Sequence, residues 1–115
     1  MDELQGEWRV DGIGDGERLA VVEVPADHAV TFVVDGNRVS GHSGVNRYTT
    51  TVEVDGSSLT FGPAASTRMA GPPERMETEQ RFLAALATVA SWVFDEGELR
   101  LVTDTGATAV VLRRP

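Results

Sequence analysis

Val52-Glu53-Val54-Asp55-Gly56-Ser57-Ser58-Leu59-Thr60-Phe61-Gly62 decides the fold class. Val52 and Val54 alternate with Glu53, and Leu59 and Phe61 alternate with Thr60, the period of two that lays one face of a strand on a core. Between them stands Asp55-Gly56, a pair suited to a tight hairpin because Gly takes positive φ without steric cost. The same punctuation recurs at Asp35-Gly36, Glu96-Gly97 and Thr105-Gly106, again flanked by alternating segments. These are Trp8 and Val10 about Arg9, Val30, Phe32 and Val34 about Thr31, Trp92 and Phe94 about Val93, and Leu99 and Leu101 about Arg100. Ala109 to Leu112 is apolar on both faces and is expected nearer the centre of the sheet. An antiparallel sheet of hairpins follows, with Gly12 to Gly16 read as a flexible surface loop.

One segment breaks the rhythm. From Pro72 onward Met76, Phe82, Leu83, Leu86, Val89 and Ala90 cluster at three- and four-residue spacing, which predicts one amphipathic helix over about residues 73–89. Pro72 and Pro73 suit its start, where a missing N–H costs nothing. Arg75 with Glu79 and Glu77 with Arg81 are spaced as i,i+4 pairs. Laid against the sheet, this helix makes the fold class α+β. Trp8, Phe32, Phe61, Leu83, Leu86 and Trp92 are expected to be buried together.

The bounds set by composition agree. The 115 residues, 41 % hydrophobic and 24 % charged, suit one globular domain spanning 1–115 that buries about two-thirds of its unfolded surface. Ten Arg and no Lys against 18 acidic residues give a formal charge of −8. That field repels phosphate backbones, so nucleic acid is not an expected partner. No apolar run is long enough for a membrane span. Without cysteine there is no thiol catalysis, disulfide or thiolate metal site. The start Met1-Asp2-Glu3-Leu4 lacks the pattern of an export signal; a cytoplasmic location is expected if Met1 is the native start, and the envelope or exterior if an export segment has been removed.

Motifs for catalysis are weak. Gly41-His42-Ser43-Gly44 fails G-x-S-x-G at Val45, and neighbouring residues of a strand point to opposite faces, so His42 and Ser43 are not expected to share a proton. His28 stands alone and is read as solvated, which leaves no zinc spacing. Asp11, Asp15 and Glu17 lack the order of a calcium loop, and Gly12, Gly14 and Gly16 fail G-x-G-x-x-G at Glu17. Glu77 and Glu79 are read as solvated charge on an exposed helix turn. No catalytic residue, metal or cofactor is therefore expected.

Two stretches carry a family resemblance. Gly41-His42-Ser43-Gly44-Val45-Asn46-Arg47-Tyr48, then Leu59-Thr60-Phe61-Gly62, then Ser66-Thr67-Arg68-Met69-Ala70 and Glu79-Gln80-Arg81-Phe82-Leu83 resemble the META domain, the HslJ-like family. Leu4-Gln5-Gly6-Glu7-Trp8 and Leu99-Arg100-Leu101 fit as well, so the resemblance covers nearly the whole chain. It implies a small α+β domain with an antiparallel, barrel-like sheet and one helix, often in bacterial envelope or stress-linked proteins, and it carries no reaction over, since none is established for the family as a class. Where many relatives read Gly-Cys-Asn and Met-Ala-Cys, this chain has Val45 and Gly71, a joint loss expected if those cysteines usually pair.

The same motifs nominate Asn46, Arg47, Tyr48, Thr67 and Arg68 as candidate binding residues. Each has a structural alternative: Asn46 pinning a turn, or an Arg bonding backbone carbonyls between sheet and helix, as expected of Arg68 in the loop before Pro72. Two functions remain open. One is a non-enzymatic module that binds a protein or peptide, associated with stress or the envelope. The other is a barrel that holds a small apolar ligand in its mouth.

Overall fold

A computed structural model describes residues 2–14, 21–28 and 30–115. Its strands are β1 (Gly6–Gly14), β2 (Val21–Glu23), β3 (Thr31–Asp35), β4 (Arg38–His42), β5 (Arg47–Asp55), β6 (Ser58–Phe61), β7 (Ala65–Ser66), β8 (Val89–Asp95), β9 (Glu98–Thr103) and β10 (Thr108–Arg113), with one helix, α1 (Pro73–Leu86). Eight of the strands form a closed antiparallel circuit in the order β1-β3-β4-β5-β6-β8-β9-β10. Closure comes from β10, which pairs β9 on one side and β1 on the other. This explains why Ala109, Val110 and Leu112 are all buried. Outside the circuit, β2 pairs β1 and β7 pairs β5.

Each anticipated Gly turn is present. Gly36, Gly56, Gly97 and Gly106 all have positive φ, and the first three join β3 to β4, β5 to β6 and β8 to β9. The inner faces supply Trp8, Phe32, Val39, Val52, Leu99 and Leu101 to one core. The helix closes one side through Phe82, whose ring meets Tyr48 edge-on at 5.2 Å. Trp8 lies at another end, its indole N–H bonded to the Leu4 carbonyl at 2.9 Å and the Arg114 guanidinium 3.8 Å above its ring.

Three expectations need correction. The helix ends at Leu86, short of residue 89, because Thr88 turns back to cap the Ala85 carbonyl with its N–H and its hydroxyl. Val89 and Ala90, which fit the helical stripe, instead open β8. A register shift between Val89 and Ser91 then disturbs the alternation along β8. As a result Trp92 is half-buried and Phe94 is 45 % exposed, while Phe61 and Leu83 pack only partly buried against the core. Finally, Gly12 to Gly14 is not a loop: β1 continues through it past a bulge between Val10 and Gly12. A side chain at Gly14 would overlap the Thr108 carbonyl, so glycine permits the close approach of β1 and β10. Residues 15 and 16 of that expected loop lie outside the described residues.

Candidate functional site

The turn between β4 and β5, the segment from β7 to α1, and α1 itself meet around one buried carboxylate. Glu79 stands three residues before Phe82 and seven before Leu86, so the helical period points it inward with them, and it is only 6 % exposed. Its Oε1 accepts from Ser43 Oγ at 2.7 Å, the Asn46 backbone N–H at 2.6 Å and the Val45 N–H at 3.2 Å. Its Oε2 accepts from Asn46 Nδ2 at 2.9 Å. The expected surface charge is thus a clamp, and its expected pairing with Arg75 does not form; Arg75 lies 3.9 Å from Asp27 instead. The other spaced pair, Glu77 with Arg81, is present at 2.6 Å.

Burial pushes the Glu79 carboxyl up, but the Asn46 and Ser43 side chains and the two backbone N–H groups outweigh it and hold the group below the usual carboxylate range. Gly44 makes the approach possible. Its φ is +126°, and a β-carbon there would stand 2.9 Å from the Arg75 carbonyl and 3.4 Å from Glu79 Cβ.

Asn46 uses its whole side chain. Oδ1 accepts from Thr67 Oγ1 at 2.9 Å and from the Met69 N–H at 2.7 Å, while Nδ2 donates to the Met69 carbonyl at 3.1 Å as well as to Glu79. The reversed amide would set its oxygen against the carboxylate, so the network fixes the orientation. Tyr48 is also structural, donating its hydroxyl to the Thr31 carbonyl at 2.7 Å, and burial pushes its phenol well up. The segment before Pro72 is therefore held by Asn46. Arg68, expected to fix it, is exposed and has no hydrogen bond or ion pair among the described residues.

The five nominated residues come together but divide by direction. Asn46 and Tyr48 are buried, whereas Arg47, Thr67 and Arg68 are exposed. Thr67 links the two groups: its N–H bonds the Arg47 carbonyl at 3.0 Å, and its hydroxyl reaches Asn46. Arg47 and Arg68 thus stand on adjoining segments, and neither side chain has a hydrogen bond or ion pair among the described residues; Met69 follows, 63 % exposed. Elsewhere, Arg9 and Arg113 share Asp11, Arg113 and Arg100 reach Glu98, and Arg81 pairs Glu77.

Ser43 is fully buried on Glu79, and His42 Nδ1 lies 3.4 Å from the Gly44 N–H, so the two side chains share no hydrogen bond. His28, expected to be solvated, is 7 % exposed and bonds Thr78 Oγ1 at 2.8 Å. Thr78 Oγ1 also lies 3.1 Å from the Glu74 carbonyl oxygen. Nothing local in the sequence marks His28. For Glu79 the available signal was its place within the apolar stripe. Among the described residues no group of His, Asp and Glu could hold a metal ion, and no helix is long and apolar enough to cross a membrane. Among the described residues a void inside the barrel, lined by Leu4, Phe32, Val39, Leu59, Leu99 and their neighbours, measures about 10 Å³. A groove of about 980 Å³ lies outside, beside Val24, Pro25 and Val30 and rimmed by Arg9, Asp11 and Arg113.

Positions 45 and 71, where the resemblance implied a missing cysteine pair, face each other. A β-carbon at Gly71 would stand 3.5 Å from Val45 Cβ, within the range of a disulfide.

Similar folds are known. The NMR structure of a protein from Burkholderia xenovorans matches with a TM-score of 0.76 at 24 % identity, covering 99 % of this chain and 85 % of the other. A second NMR structure gives 0.69 at 21 % identity, over 97 % and 92 %. The crystal structure of a DUF4847 family protein from Bacteroides vulgatus gives 0.65 at 14 % identity, over 97 % and 94 %. No curated protein matches the sequence significantly. The META domain model matches residues 2–115, and with that span the chain belongs to the META domain family.

Proposed function

We propose that this META domain is a non-enzymatic module that binds a protein or peptide on its outer surface. The observation that carries this reading is the filled barrel. A void of about 10 Å³ has room for about one water and none for an apolar molecule, which argues against the alternative of a small apolar ligand in the barrel. Recognition then falls to the exterior, where the β4–β5 turn and the segment from β7 to α1 are held rigid by the Glu79–Asn46 network. A surface ordered beforehand loses less entropy on binding.

The absence of catalysis is part of the proposal. Glu79 spends both oxygens on four donors, and Ser43 is buried beneath it, so neither reaches a substrate as base or nucleophile. Selection of an unbiased displayed peptide library on the immobilised domain, together with ester, peptide and phosphate substrate panels, tests both halves. Enriched peptides and blank panels are expected. Turnover that disappears in Ser43→Ala, or a library that enriches nothing, would overturn the reading.

A further inference from the structure

We propose that Arg47, Arg68 and Met69, beside the free edge of β7, form a docking rim for an extended acidic segment of a partner polypeptide. The inference rests on the reading of the domain as a binding module and names where and what it binds. Arg47 and Arg68 are unpaired among the described residues of a chain with formal charge −8, although carboxylates are abundant elsewhere on it. Arg9, Arg81, Arg100 and Arg113 have each found one; Arg38, also unpaired among the described residues, lies on β4, which is paired on both sides. Two unpaired planar forks on adjoining segments suit carboxylates, each able to hold one through two hydrogen bonds.

Two further features specify an extended chain. β7 pairs only β5, through Tyr48↔Ser66 and Thr49↔Ala65, which leaves its other edge without a strand among the described residues. A peptide added there would run past Ser66 and Thr67 to Arg68, with Arg47 one strand further in on β5, in the manner of strand addition. Met69 supplies an adaptable apolar contact at 63 % exposure. Asn46 holds the Met69 backbone at both its N–H and its carbonyl, so the side chain is presented from a fixed support. The groove beside β1 is the weaker candidate because its arginines are already neutralised by Asp11 and Glu98. The overall negative field also disfavours nucleic acid and anionic lipid, whose charge extends beyond the rim.

Fluorescence anisotropy with labelled peptides of about ten residues, alternating Glu with Val, tests the proposal against counterparts carrying Gln or Lys in place of Glu. The Glu peptide should bind at least about tenfold more tightly than the Gln peptide and weaken as salt rises from about 50 to about 300 mM. The Arg47→Glu/Arg68→Glu variant should lose the Glu peptide and gain the Lys peptide, with an unchanged melting temperature because both side chains are exposed. Met69→Ala should weaken the Glu peptide several-fold. Equal binding of the Glu and Gln peptides, binding that survives the double charge reversal, or no binding of the Glu peptide at about 1 mM would overturn the rim. Equally tight binding of phosphatidylglycerol vesicles or an oligonucleotide would overturn its commitment to a polypeptide. If library-selected peptides still bind the charge-reversed variant, the module reading stands and the rim alone fails.

Discussion

Two regions of this barrel use charged side chains to tie distant segments together, and they do so under opposite conditions. Around Glu79 one buried carboxylate gathers four hydrogen bonds from a turn more than thirty positions earlier, without a cationic partner among the described residues. Along the seam of β1 and β10, Arg9, Asp11, Arg113 and Glu98 form a chain of ion pairs in which both arginines are more than half exposed. Water competes for every group in the second region and for almost none in the first. Removing one partner from a buried network strands donors that water cannot reach, whereas an exposed pair that breaks is rehydrated. Opposite charge by itself therefore says little about how much a contact stabilises.

Glu79→Ala offers the strongest test, with an expected loss of about 3–4 kcal/mol by chemical denaturation because four donors lose their acceptor at once. A loss below about 1 kcal/mol would place the clamp with the surface pairs and remove the contrast. The same carboxylate gives a pH signature. Its folded pKa is depressed, so the folded state binds fewer protons than the unfolded state as each titrates, and stability rises with pH there. The contribution is complete above the unfolded value of about 4.3 and is lost as pH falls through the folded one. Glu79→Gln should flatten that acid limb when denaturation is followed across pH.

A covalent tie can replace part of what the hydrogen bonds do. Val45→Cys/Gly71→Cys should form a disulfide on oxidation, shown by mass spectrometry, and closing roughly 25 residues should add about 3 kcal/mol. Failure to oxidise would mean that the turn and the segment before α1 are farther apart than the 3.5 Å β-carbon separation indicates. Asn46→Ala should cost about 2 kcal/mol and increase amide hydrogen exchange at Met69, whose N–H loses its acceptor. Protection at Met69 equal to that of the parent chain would show that Asn46 does not hold the segment. The smallest effect belongs to the seam: Arg9→Ala should leave the denaturation midpoint nearly unchanged, and less altered still in high salt.

Legibility followed the range of the interaction. The hairpins at Gly36, Gly56 and Gly97 were readable because turn and flanking strands are one contiguous stretch. The helix start at Pro73 was readable for the same reason. Its end was not, since Val89 and Ala90 satisfy both the helical stripe and the strand, and pairing with β9 chose the strand. Among the site residues, Asn46 was marked by its motif and by its suitability for pinning a turn. Glu79 was misread because charge on a helix is usually solvated, although its spacing from Phe82 and Leu86 placed it on the inner stripe.

By itself the sequence determined the antiparallel hairpins, the single helix and its starting point, and the lack of thiol chemistry. Those follow from side-chain period, the φ freedom of glycine, the missing N–H of proline and composition, all of which act within a few residues. Only the tertiary structure decided that β10 would close on β1, that Glu79 would be buried and Phe94 exposed, and that Arg47 and Arg68 would find no partner among the described residues while the seam arginines found carboxylates. Each of those outcomes depends on which distant segment arrives opposite a residue. Burial and pairing are properties of that meeting, and one residue type took both roles here according to the partner that the fold supplied.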